Sequence, residues 1–282
     1  MQSQNLSYQI KNEHFNIEGY DISVEVFTFE NIYSLLDSKK EGNTFTSQSL
    51  SWGETEIVKS NFELTYGKNE INNTLKASAK IDGNNIRCIK FKFHNLPLGT
   101  LINSIGGEIK VTDYGFNMRY PEAWRSVTTP LWVFRTLDNK YFYIRSLATS
   151  VKEHRIYAKK VGEFMEFSLI YEEDAQHLKD EITTPIIEYG YIDNPDTIYE
   201  IHGDFIAKIY NLKPFLERED VPTWFKNISL VVNMHMEAFT GHIFHTYESA
   251  LEDIKTLTKY IPGDQILVYI PGWEGRYYYK YG

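Results

Sequence analysis

The 282-residue chain has one cysteine, Cys88, so an intramolecular disulfide and a cysteine-based zinc cluster are excluded. Within the strand-like stretch Ile86–Phe93, Cys88 reads as a small buried apolar residue rather than a reactive thiol. Positive charge is also scarce. Lys and Arg number 29 against 38 Asp and Glu, a net charge of −9, and no long basic run occurs. That balance argues against nucleic acid or an anionic membrane as a partner. No run approaches the ~18 apolar residues that would span a bilayer. The N-terminal stretch lacks the charged-then-apolar order of a secretory signal, so the chain reads as cytoplasmic. A Walker loop, a dinucleotide fingerprint and a Gly-x-Ser-x-Gly elbow are all missing, which argues against the common nucleotide enzymes and serine hydrolases. No cofactor is expected.

What is present is ordinary in amount except for one class. Apolar residues make up 42% and charged residues 24%, enough to build a sizeable core. Aromatic residues reach 15%. Such enrichment suits pleated sheets, and also surfaces that stack on flat ligands such as sugar rings.

Before about residue 195 the apolar pattern has a period of two. Ile22, Val24 and Val26 alternate with polar neighbours, as do Phe62, Leu64 and Tyr66, then Leu75, Ala77, Ala79 and Ile81, then Ile89, Phe91 and Phe93. Further strands are expected at Leu131–Thr136, Tyr141–Leu147, Arg155–Lys159, Phe164–Tyr171 and Ile186–Tyr191. Turn signals at Tyr66–Asn69, Asp82–Asn85, Asp138-Asn139 and Asp193–Asp196 separate them. Asp82-Gly83 and Asp138-Asn139 look like hairpin turns. Many short alternating strands with regular turns predict an antiparallel sandwich or barrel. A short helix is expected around Asn31–Ser38.

After residue 200 the period changes. Phe205, Ile206, Ile209, Tyr210 and Leu212 suit one face of a helix closed by Pro214. Ile228–Val232 and Gln265–Ile270 read as strands buried on both faces. Between them Tyr247, Ala250, Leu251, Ile254, Leu257 and Ile261 form an amphipathic helix, stopped at Pro262-Gly263. Strand starts at 228 and 265 are one βαβ unit apart, and such a unit is parallel and right-handed. One such unit leaves bare strand edges. The chain is therefore expected to be the front part of a longer protein whose further β/α units complete a (β/α)8 barrel. The expected plan is mainly β with a C-terminal α/β part: a β-sandwich over 1–200, a linker helix and connector over 201–226, and the first βαβ unit over 227–282.

Three stretches carry a family resemblance. They are Asn117–Trp124 followed by Leu131–Arg135 and Tyr141–Ile144; His202–Tyr210 followed by Val221-Pro222-Thr223-Trp224-Phe225; and Ile270-Pro271-Gly272-Trp273-Glu274-Gly275-Arg276-Tyr277-Tyr278. Together they resemble glycoside hydrolases of the α-galactosidase-like clans and related uncharacterised glycosidases. In those proteins a galactose-mutarotase-like supersandwich precedes the barrel. The resemblance implies a chain acting on a glycan, with catalytic carboxylates on later barrel strands than the two found here.

Site candidates follow from that plan, since barrel strands present their C-terminal ends to the active site. Alternation puts Asn233, His235 and Glu237 on one side of the first strand end, suited to sugar hydroxyls or, structurally, to a polar cap on the sheet. Trp273, Glu274 and Arg276 follow the second strand; an indole there stacks on a pyranose face while Glu and Arg fix hydroxyls, or it packs beneath its own loop. Glu237 and Glu274 are the only strand-end carboxylates that could form an acid/base pair. In the sandwich loop, Trp124 and Arg119 either reach over a barrel mouth or make an interdomain contact. His235, His242 and His245 with Glu237 admit a metal-dependent hydrolase, but their spacing matches no closed ligand motif and no metal is expected. The alternative to a hydrolase is a stand-alone carbohydrate-binding sandwich without catalysis.

Overall fold

The computed structural model describes residues 13–53, 56–69, 71–122, 126–174, 176 and 178–273. Contacts divide the chain into two compact units, residues 1–205 and 206–282.

The first unit is built of seventeen strands. In order they are β1 (His14–Ile17), β2 (Tyr20–Thr28), β3 (Ile32–Leu36), β4 (Lys39–Glu41), β5 (Thr44–Trp52), β6 (Glu56–Lys68), β7 (Asn73–Ile81), β8 (Ile86–Pro97) and β9 (Gly99–Leu101). Then come β10 (Ile109–Lys110), β11 (Phe116–Tyr120), β12 (Leu131–Thr136), β13 (Tyr141–Ser146), β14 (His154–Val161), β15 (Phe164–Glu172), β16 (Glu181–Thr183) and β17 (Ile187–Ile192). Every pairing among them is antiparallel. One leaf runs β11–β14–β15–β8–β2–β1. The other runs β5–β6–β7–β17–β13–β12–β9. Strand β3 pairs with both β2 and β5 and so joins the leaves.

Alternation explains why the leaves face each other. Val24, Phe91, Phe93, Phe167 and Leu169 of the first leaf share one core with Leu64, Leu75, Trp132, Phe134 and Phe142 of the second. Aromatic rings meet edge-on across the gap: Phe134 with Phe167 at 5.4 Å and Phe93 with Tyr189 at 5.0 Å. Such pairs add ~0.5–1.5 kcal/mol beyond the area they bury. The largest of the fully buried side chains, Trp132, Tyr33 and Tyr189 among them, are aromatic residues of this core.

Three local expectations need correction. Residues 32–36 form strand β3 rather than a helix, because Glu25–Phe27 of β2 and Ser34–Leu36's partners on β5 capture their backbone groups. At Asp82-Gly83 the chain does turn, with Gly83 at φ +75°. The following strand β8 pairs along its length with β2 and β15, so the turn carries the chain between leaves instead of closing a hairpin. Tyr66–Lys68 belong to β6, and the reversal falls at Asn69–Asn72, where the Asn69 carboxamide oxygen accepts from the amides of Ile71 and Asn72. At Asp138-Asn139 the expected hairpin is present between β12 and β13, with Asn139 at φ +59°.

Strands β12, β13 and β17 are buried on both faces. One face is core. The other is covered by helix α1 (Pro195–Ile209), whose Ile198 packs with Leu131, Val133 and Tyr143. This helix starts at Pro195, ahead of the residue-201 start expected for the linker. Beneath it lies a polar cluster. Arg145 and Glu188 form an ion pair at 2.8 Å, with side chains 5% and 1% exposed. The Tyr143 hydroxyl donates to the other Glu188 oxygen at 2.8 Å, and burial beside that carboxylate raises the hydroxyl's pKa. His202 of α1 hydrogen-bonds Thr129, and burial, reinforced by Arg145, lowers its pKa to about 4. Cys88 is buried as expected, and burial raises its thiol to about 12.

The second unit holds helix α2 (Thr223–Lys226), β18 (Leu230–Asn233), helix α3 (Tyr247–Leu257) and β19 (Ile266–Tyr269). Strands β18 and β19 pair in parallel, Leu230 opposite Ile266 and Asn233 opposite Tyr269. Thr246 caps α3 in a reciprocal box with Ser249. The Ala250, Ile254 and Leu257 face of α3 covers Val232, Met234, Met236, Val268 and Ile270. The strands are not buried on both faces as their continuous apolar runs suggest: Val231 is 62% and Tyr269 60% exposed. Among the described residues of this unit, a single helix covers one face of the two-stranded sheet. Among the described residues, no helix is long and apolar enough to cross a membrane.

Candidate functional site

The second unit gathers its polar and aromatic groups at the C-terminal ends of β18 and β19. Past Asn233 the chain stays extended beside its neighbour. The Met234 amide donates to the Tyr269 carbonyl and the Met236 amide to the Pro271 carbonyl, both at 2.9 Å. Met234 and Met236 turn inward beneath α3, 4% and 5% exposed. Burial of these two thioethers sets the register, and a residue period of two then places Asn233, His235 and Glu237 on the opposite side. Asn233 is exposed, and His235 and Glu237 are half-buried.

The loop after β18 folds back onto its own start. Its Ala238 amide bonds the His242 carbonyl, and the Phe244 and His245 amides bond the Met236 carbonyl. His245 donates through Nδ1 to the His235 carbonyl at 2.9 Å, and its Nε2 lies 3.6 Å from Asp253 of α3. His235 donates through Nε2 to the Glu237 carbonyl at 3.1 Å, with its ring edge-on to Phe244 at 5.3 Å. Backbone carbonyls and a phenyl ring thus take up the histidines. Among the described residues, no three His, Cys, Asp or Glu side chains converge as metal ligands.

Gly272 fixes the loop after β19. It has φ +72°, and a Cβ there would lie 2.3 Å from the Glu237 carbonyl oxygen. Only glycine allows so close an approach in that conformation. The turn presents Trp273, 56% exposed, and the Trp273 carbonyl accepts from the Tyr247 hydroxyl at 3.0 Å. Tyr247, Val268, Tyr269, Ile270 and Trp273 line a depression of about 430 Å³. Tyr247 was legible in the sequence only as part of a helix face. Its place at the site comes from standing on the first turn of α3, just past the Thr246 cap, a position that Thr246-x-x-Ser249 marks.

The other expected residues fall elsewhere. Glu274 and Arg276 lie outside the described residues, as does Trp124, so neither the Glu237–Glu274 pair nor the Trp124 subsite is described. Arg119 belongs to the first unit, exposed on β11 opposite Arg155 of β14.

No protein-family model matches the chain, and no curated protein matches it in sequence. Solved structures do match. An α-N-acetylgalactosaminidase, NagBb from Bifidobacterium bifidum in complex with GalNAc, superposes with a TM-score of 0.57 over 92% of this chain and 49% of that one, at 9% identity. Its complex with Gal-NHAc-DNJ gives 0.57, 92% and 48%, at 10% identity. The likeness is one of fold. The chain spans about half the length of these glycosidases.

Proposed function

We propose that this chain is the sandwich-bearing part of a glycoside hydrolase-like protein that acts on a glycan, and that the ends of β18 and β19 contribute to its sugar site. The observation that carries the reading is the strand-end row itself. Two parallel strands, as at the start of a (β/α)8 barrel, run on into Asn233, His235 and Glu237 after one strand and the exposed Trp273 after the other; Gly272 meets the Glu237 backbone, and the Tyr247 hydroxyl holds the Trp273 carbonyl. A pyranose offers an apolar face and a belt of hydroxyls, and this edge offers an aromatic platform and a row of polar side chains. The glycosidase-like fold supports the same reading.

In this reading Trp273 and Tyr247 bear the sugar ring, while Asn233 and Glu237 bind hydroxyls. Hydrolysis needs two carboxylates about 5–9.5 Å apart. In this reading the second would come from a further β/α unit. Arg119, Trp124, Glu274 and Arg276 are proposed as further sugar-binding residues.

A panel of p-nitrophenyl glycosides, beginning with the α-N-acetylgalactosaminide, tests the function on the chain and on longer products of its reading frame. Release of p-nitrophenol by a longer product, with a raised KM in Glu237→Gln, supports it. No release from any glycoside would reject it. A binding module without catalysis is the second reading, favoured because Glu237 is the one carboxylate in the strand-end row among the described residues. Retained sugar quenching of Trp273 fluorescence without any hydrolysis would select it.

A further inference from the structure

The first unit carries a second cavity, of about 530 Å³, at one end of the sandwich. That volume lies within the ~300–1,000 Å³ of small-molecule pockets. Its walls come from four neighbouring strand ends in the order β2, β8, β15, β14. Phe29 follows β2, Arg87 opens β8, Glu172 closes β15 with Glu173 after it, and Lys152 and Glu153 precede β14.

Main-chain bonds hold this row in place. The Glu173 amide donates to the Arg87 carbonyl at 2.9 Å and the Glu172 amide to the Glu153 carbonyl at 3.3 Å. Side chains are pinned as well. Arg87 donates through Nε and Nη2 to a single oxygen of Glu172, at 3.0 and 2.9 Å, while Arg155 reaches the other oxygen at 3.2 Å. Lys152 bonds Glu173, which raises the lysine's pKa. The Arg87 guanidinium lies 5.9 Å from the centre of the Phe29 ring. Phe29 is nevertheless 64% exposed, an apolar ring held open to solvent beside fixed charges.

We infer that this cavity is a binding site for an uncharged oligosaccharide, separate from the strand ends of the second unit. The chemistry of the wall makes the choice. Among the described residues, carboxylates outnumber the two cations that line it, so a phosphate or another anion meets repulsion. Carboxylates and cations are already paired, so a cation gains little. Hydroxyl groups both donate and accept, and they match a wall on which lone pairs and N–H groups alternate at fixed places. Phe29 supplies the stacking platform that such a ligand needs for its C–H face. Because the groups are pre-positioned, ordering them costs little at binding.

The test titrates the purified full chain with xylohexaose, laminarihexaose and galactotetraose by calorimetry and saturation-transfer NMR. Hexametaphosphate and hexalysine serve as charged controls. The expected result is binding of at least one neutral oligosaccharide that persists in Trp273→Ala, where the strand-end platform is gone, and that weakens tenfold or more when Phe29→Ala or Glu172→Gln is added to that variant. Phe29 is exposed, so its truncation leaves folding intact, and circular dichroism checks the Glu172 variant. Absence of binding by all three sugars overturns the inference. So does affinity for a charged control alone, binding undiminished when Phe29→Ala is added to Trp273→Ala, or a loss that follows Trp273→Ala instead. This outcome is independent of hydrolysis, so failure here leaves the strand-end reading standing.

Discussion

The Arg145 guanidinium and the Glu188 carboxylate meet at 2.8 Å beneath helix α1, both almost entirely out of water. Two buried charges contribute little net stability as a pair, yet each is costly alone. Glu188 also accepts from Tyr143, so it holds both the guanidinium and the phenol under the helix. Replacing Glu188 by Ala strands Arg145 and is expected to cost about 3–5 kcal/mol. Urea denaturation measures it. The double variant Arg145→Met with Glu188→Leu should recover most of the loss, and failure to do so would show that the pair has a worth of its own.

His202 makes the same region sensitive to acid. Its folded pKa is lowered to about 4, chiefly by burial, against about 6.5 in the unfolded chain. Between those values the unfolded state binds the extra proton, so stability is complete above about pH 6.5 and falls as pH drops toward 4. Some 2.5 pH units correspond to about 3 kcal/mol. The urea midpoint of the wild type should fall more between pH 7 and 4.5 than that of His202→Gln. Parallel curves for the two proteins would remove His202 as the cause.

Gly272 places Trp273. Gly272→Ala puts a methyl group against the Glu237 carbonyl and imposes a positive φ on alanine. The expected cost exceeds ~1 kcal/mol. Hydrogen exchange should quicken in the second unit and leave the protection of β8 and β15 unchanged. The Trp273 emission maximum should shift as the Tyr247 hydroxyl bond loosens.

Cys88 should be inert. A thiol raised to about 12 carries almost no thiolate at pH 8, and the side chain is 5% exposed. Ellman's reagent should leave the native chain unmodified and titrate one thiol in urea. Rapid modification of the native protein would contradict the packing of β8.

The sequence announced the two-part plan because periodicity is local. An alternation such as Leu75, Ala77, Ala79 needs only a sheet with one wet face to make sense, and the switch to helical spacing after residue 200 is written in neighbouring residues. The strand-end row was legible for the same reason. Met234 and Met236 are apolar, their intervening neighbours are not, and period two places them on opposite sides. Residues 32–36 misled because Ile32-Tyr33-Ser34-Leu35-Leu36 is too short to separate strand from helix by pattern, and the strands that decide it lie on either side in the chain, Glu25–Phe27 before and Ser49–Ser51 after.

By itself, then, the sequence determined which residues alternate, where the period changes, and that the single thiol is buried. Tertiary structure decided everything that depends on a partner remote in the chain. Phe29, Arg87, Glu172 and Lys152 span 144 positions' worth of sequence yet line one cavity because β2, β8, β15 and β14 are neighbours. Arg145 finds Glu188 through the pairing of β13 with β17. Long-range pairing is a property of the whole hydrogen-bonded network and its shared core. No stretch of residues states it alone.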